Sequence, residues 1–163
     1  MKWLITVFLA GALTFAHTQT SIIEADQFYR NKQWQEAYLA YKAITAQNPY
    51  HGTYWYRLGY TAMQINDLTT AEQANRQAVE LQAFPAGAMY NLACTYALVG
   101  KTGKAMDWLK KAYYKGFTDV DWMKKDEDLR ALHDLDGFKQ FTGQIQTPFT
   151  TCLLYTSPSP RDA

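Results

Sequence analysis

Residues 90–117 read YNLACTYALVGKTGKAMDWLKKAYYKGF, and the alanine at position 105 within that stretch decides the fold. Ala105 stands 34 residues after Ala71, which itself stands 34 residues after Ala37. Each opens a run with apolar residues at helical spacing: Ala37, Tyr41 and Ile44; Ala71, Ala74 and Ala78; Ala105, Leu109 and Ala112. No alternating, strand-like run competes with them. A period of 34 with two helices per unit predicts an all-α array, in which each helix hairpin buries its apolar face against the next.

Turn chemistry agrees with that period. Asn48-Pro49 ends one helix, Asn66-Asp67 and residues 100–103 separate others, and Pro85 precedes the third unit. Close helix crossings need a very small side chain, so Gly59 or Ala93 is expected to face Ala71 or Ala105. Trp55, Leu58, Tyr96 and Leu109 are expected to fill the space around those contacts.

The motif can be followed residue by residue. Trp55, Leu58 and Gly59 fit W-x2-L-G in the second unit, with Ala71 and Ala78 in register and Ala62 where Tyr is usual. Tyr90, Leu92, Ala93, Tyr96, Ala105 and Ala112 repeat the pattern in the third unit. The first unit keeps Phe28, Ala37, Tyr41 and Pro49, but Ser21 and Glu24 stand where Trp and Leu are expected. On these residues the chain resembles the tetratricopeptide repeat (TPR) family. The resemblance implies a helix-turn-helix solenoid of about three repeats, at about 18–51, 52–85 and 86–118, followed by a C-terminal capping segment over 119–146. The phrase at 90–117, with KGFTDVDWMKKDEDLRALHDLDGFKQF at 115–141, is similar to the closing segment of bacterial TPR groups. There Leu129, Leu132, Leu135, Phe138 and Phe141 are expected to roof the last repeat.

Both ends are read differently. Lys2 and the apolar run at 3–15, followed by Thr14 and Ala16 at the −3 and −1 positions before His17, predict a signal peptide over 1–16. The run is shorter than the roughly 18–20 residues of a membrane span. A periplasmic or secreted bacterial protein, with no stable span after cleavage, is therefore expected. Residues 152–162, CLLYTSPSPRD, match codon for codon a translated transposase sequencing adapter. The natural reading frame is accordingly expected to depart near residue 151, leaving 147–163 as a disordered tail.

The chain of 163 residues carries a formal charge of +1, with 48% hydrophobic and 15% aromatic residues. That composition can bury a core and excludes a disordered chain. Without Lys2, Arg161 and Asp162 the charges balance, which offers no electrostatic grip for nucleic acid. With Cys152 assigned to the adapter, Cys94 is left alone in a helical stretch and reads as a small buried hydrophobe.

Catalytic patterns fail one by one. TYALVGKT at 95–102 puts Thr95 where a P-loop needs its first Gly, and Lys101, Thr102 and Gly103 fall in a turn between helices. DVDWMKKDEDLR at 119–130 sets Asp119 and Asp121 as in a calcium loop, yet lacks the central Gly and ends on Arg130. It reads as a solvated acidic turn. His17, His51 and His133 have no metal-ligand spacing. No catalytic residue, metal or cofactor is expected.

The TPR resemblance implies binding in a concave groove lined by the first helix of each pair. Its positions fall on Tyr56, Arg57 and Tyr60, and on Tyr90, Asn91 and Cys94. Tyr and Arg concentrate binding energy at interfaces, and the Asn91 amide suits a peptide backbone. Truncating Tyr60 or Asn91 is accordingly expected to spare stability. The carboxylate clamp of chaperone-binding TPR proteins does not fit, since its Lys and Asn places fall on Ile22, Asp26 and Gly87. Two functions follow: a non-enzymatic scaffold binding a peptide or partner protein, or the N-terminal accessory region of an exported hydrolase or peptidase.

Overall fold

A computed structural model describes residues 21–146. The expected signal peptide, the adapter-like string and the tail lie outside the described residues. Within them the fold is all α-helical, with no strand. Six helices run in succession: α1 Ile22–Arg30, α2 Trp34–Gln47, α3 Gly52–Gln64, α4 Leu68–Glu80, α5 Pro85–Leu98 and α6 Thr102–Tyr114. Each packs on the next, and the pairs α3/α4 and α5/α6 share the most extensive contacts. Short helices α7 Val120–Met123 and α8 Arg130–His133, a 3-10 turn at Glu127–Leu129, and α9 Asp136–Gln146 complete the described residues.

The period of 34 is written into the backbone. Lys32, Asn66 and Gly100 all take positive φ, at 57°, 62° and 73°. After each, an amide reaches back across the helix end: Gln33 N to Phe28 O, Asp67 N to Ala62 O and Lys101 N to Tyr96 O, at 2.9, 2.8 and 2.9 Å. This left-handed closure satisfies carbonyls that the helix end leaves open. The ends of α4 and α6 repeat it, with positive φ at Gln82 and Gly116. The end of α2 does not, although Asn48 lies one period before Gln82. Pro49 follows it and has no N–H for the back-bond, so Asn48 instead donates through both its backbone N and its Nδ2 to Ile44 O.

Start signals are equally local. Ser21 Oγ accepts from Glu24 N at 3.1 Å, which explains the departure from the Trp position of the repeat: residue 21 is a cap, not a helix residue. Asp67 Oδ1 caps α4 through Thr70 N, and Pro85 occupies the first turn of α5.

All nine expected core positions on the second helices are buried, from Ala37 to Ala112. The crossing of α3 and α4 differs in detail from expectation. A Cβ at Gly59 would stand 2.5 Å from Asn75 Nδ2, so Gly59 makes room for Asn75, not for Ala71. Two hydrophobic clusters result, one centred on α2–α4 and one on α5 and α6. Met123, Leu129, Leu132, Phe138 and Phe141 close the second cluster. Leu135, expected among them, remains 38% exposed because it lies in the turn before α9.

Candidate binding cleft

Helix periodicity puts Tyr56, Tyr60, Met63 and Gln64 on one face of α3, and Gly87, Tyr90, Asn91 and Cys94 on one face of α5. These faces meet across a cleft of about 280 Å³. Phe117, Trp122, Asp126 and Asp128 close it from the segment that follows α6. Tyr56, Tyr60, Tyr90, Asn91 and Cys94 are thus brought together. Arg57 is not among the lining residues: its guanidinium sits 4.1 Å from the centre of the Tyr29 ring. Residue 57 is one step round the helix from residue 56, enough to turn it toward α1.

Each side chain is fixed differently. Tyr56 stacks on Phe84 at 4.9 Å, and Gly87 leaves room for its hydroxyl, which a Cβ there would meet at 2.9 Å. Burial raises the Tyr56 pKa. Tyr60 packs in an aromatic group with Tyr29 and Trp34, at 5.6 and 5.8 Å. Burial foremost, with the Asp126 and Asp128 charges, also raises its pKa.

Tyr90 is buried, stacked on Phe117 at 3.9 Å, and donates its hydroxyl to Asp126 Oδ2 at 2.6 Å. Asn91 is also buried and directs Nδ2 at Asn75 Oδ1, 3.1 Å away, while Asn75 Nδ2 donates to Ala71 O. Its amide nitrogen therefore ties α5 to α4, a structural role beside its place in the cleft wall. Cys94 is buried, and burial with the nearby carboxylates holds its thiol strongly protonated, the opposite of a nucleophile's environment.

The acidic turn is where the sequence reading fell short. Asp119 does cap α7, accepting from Trp122 N at 2.9 Å. Asp126 and Asp128, however, fold back over α5 and line the cleft, and are not simply solvated. Asp126 Oδ1 accepts from Asp128 N at 3.0 Å, starting the 3-10 turn. Burial first, and the Asp126 charge second, raise the Asp128 pKa. The Asp126 contact with Tyr90 spans 36 residues and has no local signal.

The two histidines described stand apart, His51 stacked on Tyr54 at 3.8 Å and His133 with Nε2 3.3 Å from Met123 O. Residues 99–101 form the helix-closing turn between α5 and α6, with Lys101 Nζ over the Tyr96 ring, whereas Thr102 and Gly103 lie in the first turn of α6 and not between the helices. Among the described residues no helix is long and apolar enough to cross a membrane.

No curated protein matches the chain. Residues 52–84 and 86–114, the two helix pairs whose first helices wall the cleft, match the tetratricopeptide repeat family model, so over these residues the chain is similar to that family.

Proposed function

We propose that the chain is a non-enzymatic protein–protein interaction module that takes a peptide segment or partner protein into the cleft between α3 and α5. The observation that carries this reading is the meeting of Tyr56 and Tyr60 with Tyr90 and Asn91 around one opening. Half-exposed tyrosines on a rigid helical wall suit interface contacts, combining apolar area with hydroxyl hydrogen bonding. Tetratricopeptide repeats generally mediate protein–protein interaction, which supports the same reading. Within the proposal Tyr56 and Tyr60 touch the partner, Tyr90 and Asn91 hold the wall, and Arg57 contributes from the rim beside Tyr29.

The apolar run at 3–15 supports export, so the proposed site of action is the periplasm or the exterior. Capture from a periplasmic extract on immobilised chain tests the binding reading. Tyr60→Ala should lose the captured partner while keeping its helicity by circular dichroism. Equal capture by parent and variant would contradict it. The second reading is an accessory region of an exported hydrolase or peptidase. Recovering the uninterrupted reading frame beyond position 151 decides between them.

A further inference from the structure

We infer that the cleft receives the cationic end of a lysine or arginine side chain of the partner, held by Asp126 and Asp128 against Tyr60 and Trp122. The inference rests on the binding reading above and adds the chemistry of the occupant. Among the described residues two carboxylates line the opening, and no Lys, Arg or His does. Asp126 is pinned at both oxygens, Oδ2 by the Tyr90 hydroxyl and Oδ1 by Asp128 N, so its charge is fixed toward α5. Among the described residues no side chain hydrogen-bonds or ion-pairs with the Asp128 carboxylate.

Two like charges are thus held close together, one half-buried, with no ion pair to either among the described residues. That arrangement costs free energy until a cation enters. Desolvation already raises the Asp128 pKa, which is the same cost seen from the proton's side. An anionic or neutral occupant would leave that cost in place or increase it. The remaining wall suits the rest of a basic side chain. Trp122 is 54% exposed, and Tyr60 and Trp122 present rings that attract a cation. Met63 and Phe117 offer apolar surface for a methylene stem. A volume of about 280 Å³ admits a single long side chain, not a folded element.

The test uses the full chain and four labelled decapeptides in a Gly-Ser background, with a central pair of lysines, arginines, acetyl-lysines or glutamates. Fluorescence anisotropy should give at least about tenfold tighter binding for the lysine or arginine peptide than for the other two. Asp128→Asn, which breaks no hydrogen bond, should remove that preference and leave the fold intact. Trp122→Ala should weaken the basic peptides as well. Glu127→Gln, next door but outside the cleft and paired with Arg130, should change nothing. Acetyl-lysine binding as tightly as lysine, or a preference that survives Asp128→Asn, overturns the inference. If Tyr60→Ala still abolishes capture from extract, the binding reading survives that failure. Absence of binding by all four peptides, with capture indifferent to Tyr60, overturns both.

Discussion

Tyr90 Oη donates a 2.6 Å hydrogen bond to Asp126 Oδ2, fastening helix α5 to a turn 36 residues further along the chain. Burial, the neighbouring Cys94 and the Asp126 carboxylate all raise the tyrosine's pKa, so it stays the donor. The bond does two things at once. It anchors the segment that closes the second hydrophobic cluster, and it aims a carboxylate at the cleft.

Removing that hydroxyl should therefore loosen the closing segment more than the helix bearing it. Tyr90→Phe is expected to cost about 1–2 kcal/mol, because a hydrogen bond to a charged acceptor is lost. Urea denaturation measures the cost. Hydrogen exchange should quicken over residues 119–129 before it quickens in α5. A variant indistinguishable from the parent in both would contradict this role.

Asp128 gives a pH prediction whose sign is opposite to that of a stabilising carboxylate. Its folded pKa is raised, so the folded state binds the proton more tightly than the unfolded chain. The penalty is absent at low pH and enters as pH rises from about 3.9, the unfolded value, through the raised folded value. Asp128→Asn should melt above the parent at pH 7, and the gap should vanish below about pH 3.5. An Asn variant that melts lower at pH 7 would mean that an internal cation already pairs with this group.

The small residues of the second helices supply a packing test. Ala71 and Ala105 are fully buried one period apart. Leucine at either position must push neighbouring helices aside, at about 1–3 kcal/mol. Ala105→Leu should also disturb Leu129 and Leu132, which share its cluster. Thermal melts measure both, and parent-like melting of Ala71→Leu would contradict the packing.

Asn91 changes sides between sequence and structure. As a groove residue it could be truncated freely, yet its Nδ2 satisfies Asn75 Oδ1 inside the α4–α5 contact. Asn91→Ala leaves a buried carbonyl without its donor and should cost about 1–3 kcal/mol. Denaturant midpoints measure that cost, and a parent-like midpoint for Asn91→Ala would contradict the structural role.

The helices were legible because their signals are local. Alanines every 34 residues, Asn66 and Gly100 at left-handed closures, and Pro85 in a first turn all act within a few residues of themselves. The candidate cleft was half legible for the same reason. Tyr56, Tyr60 and Tyr90 follow from repeat register, whereas Asp126, Asp128 and Trp122 reach the cleft through the path of the chain after α6. Gly59 misled at finer scale, since register places a small residue without naming the side chain that fills the space. Only the fold shows that Asn75 does.

Site-specific photo-crosslinking tests the central claim most directly. The full chain would carry p-benzoylphenylalanine at position 60, inside the cleft, or at position 114, where Tyr114 is 80% exposed and outside it. Irradiation in a periplasmic extract is expected to yield one discrete adduct from position 60, which excess basic peptide displaces, and none from position 114. An adduct from position 114 alone, or the same adducts from both positions, would contradict binding in the cleft.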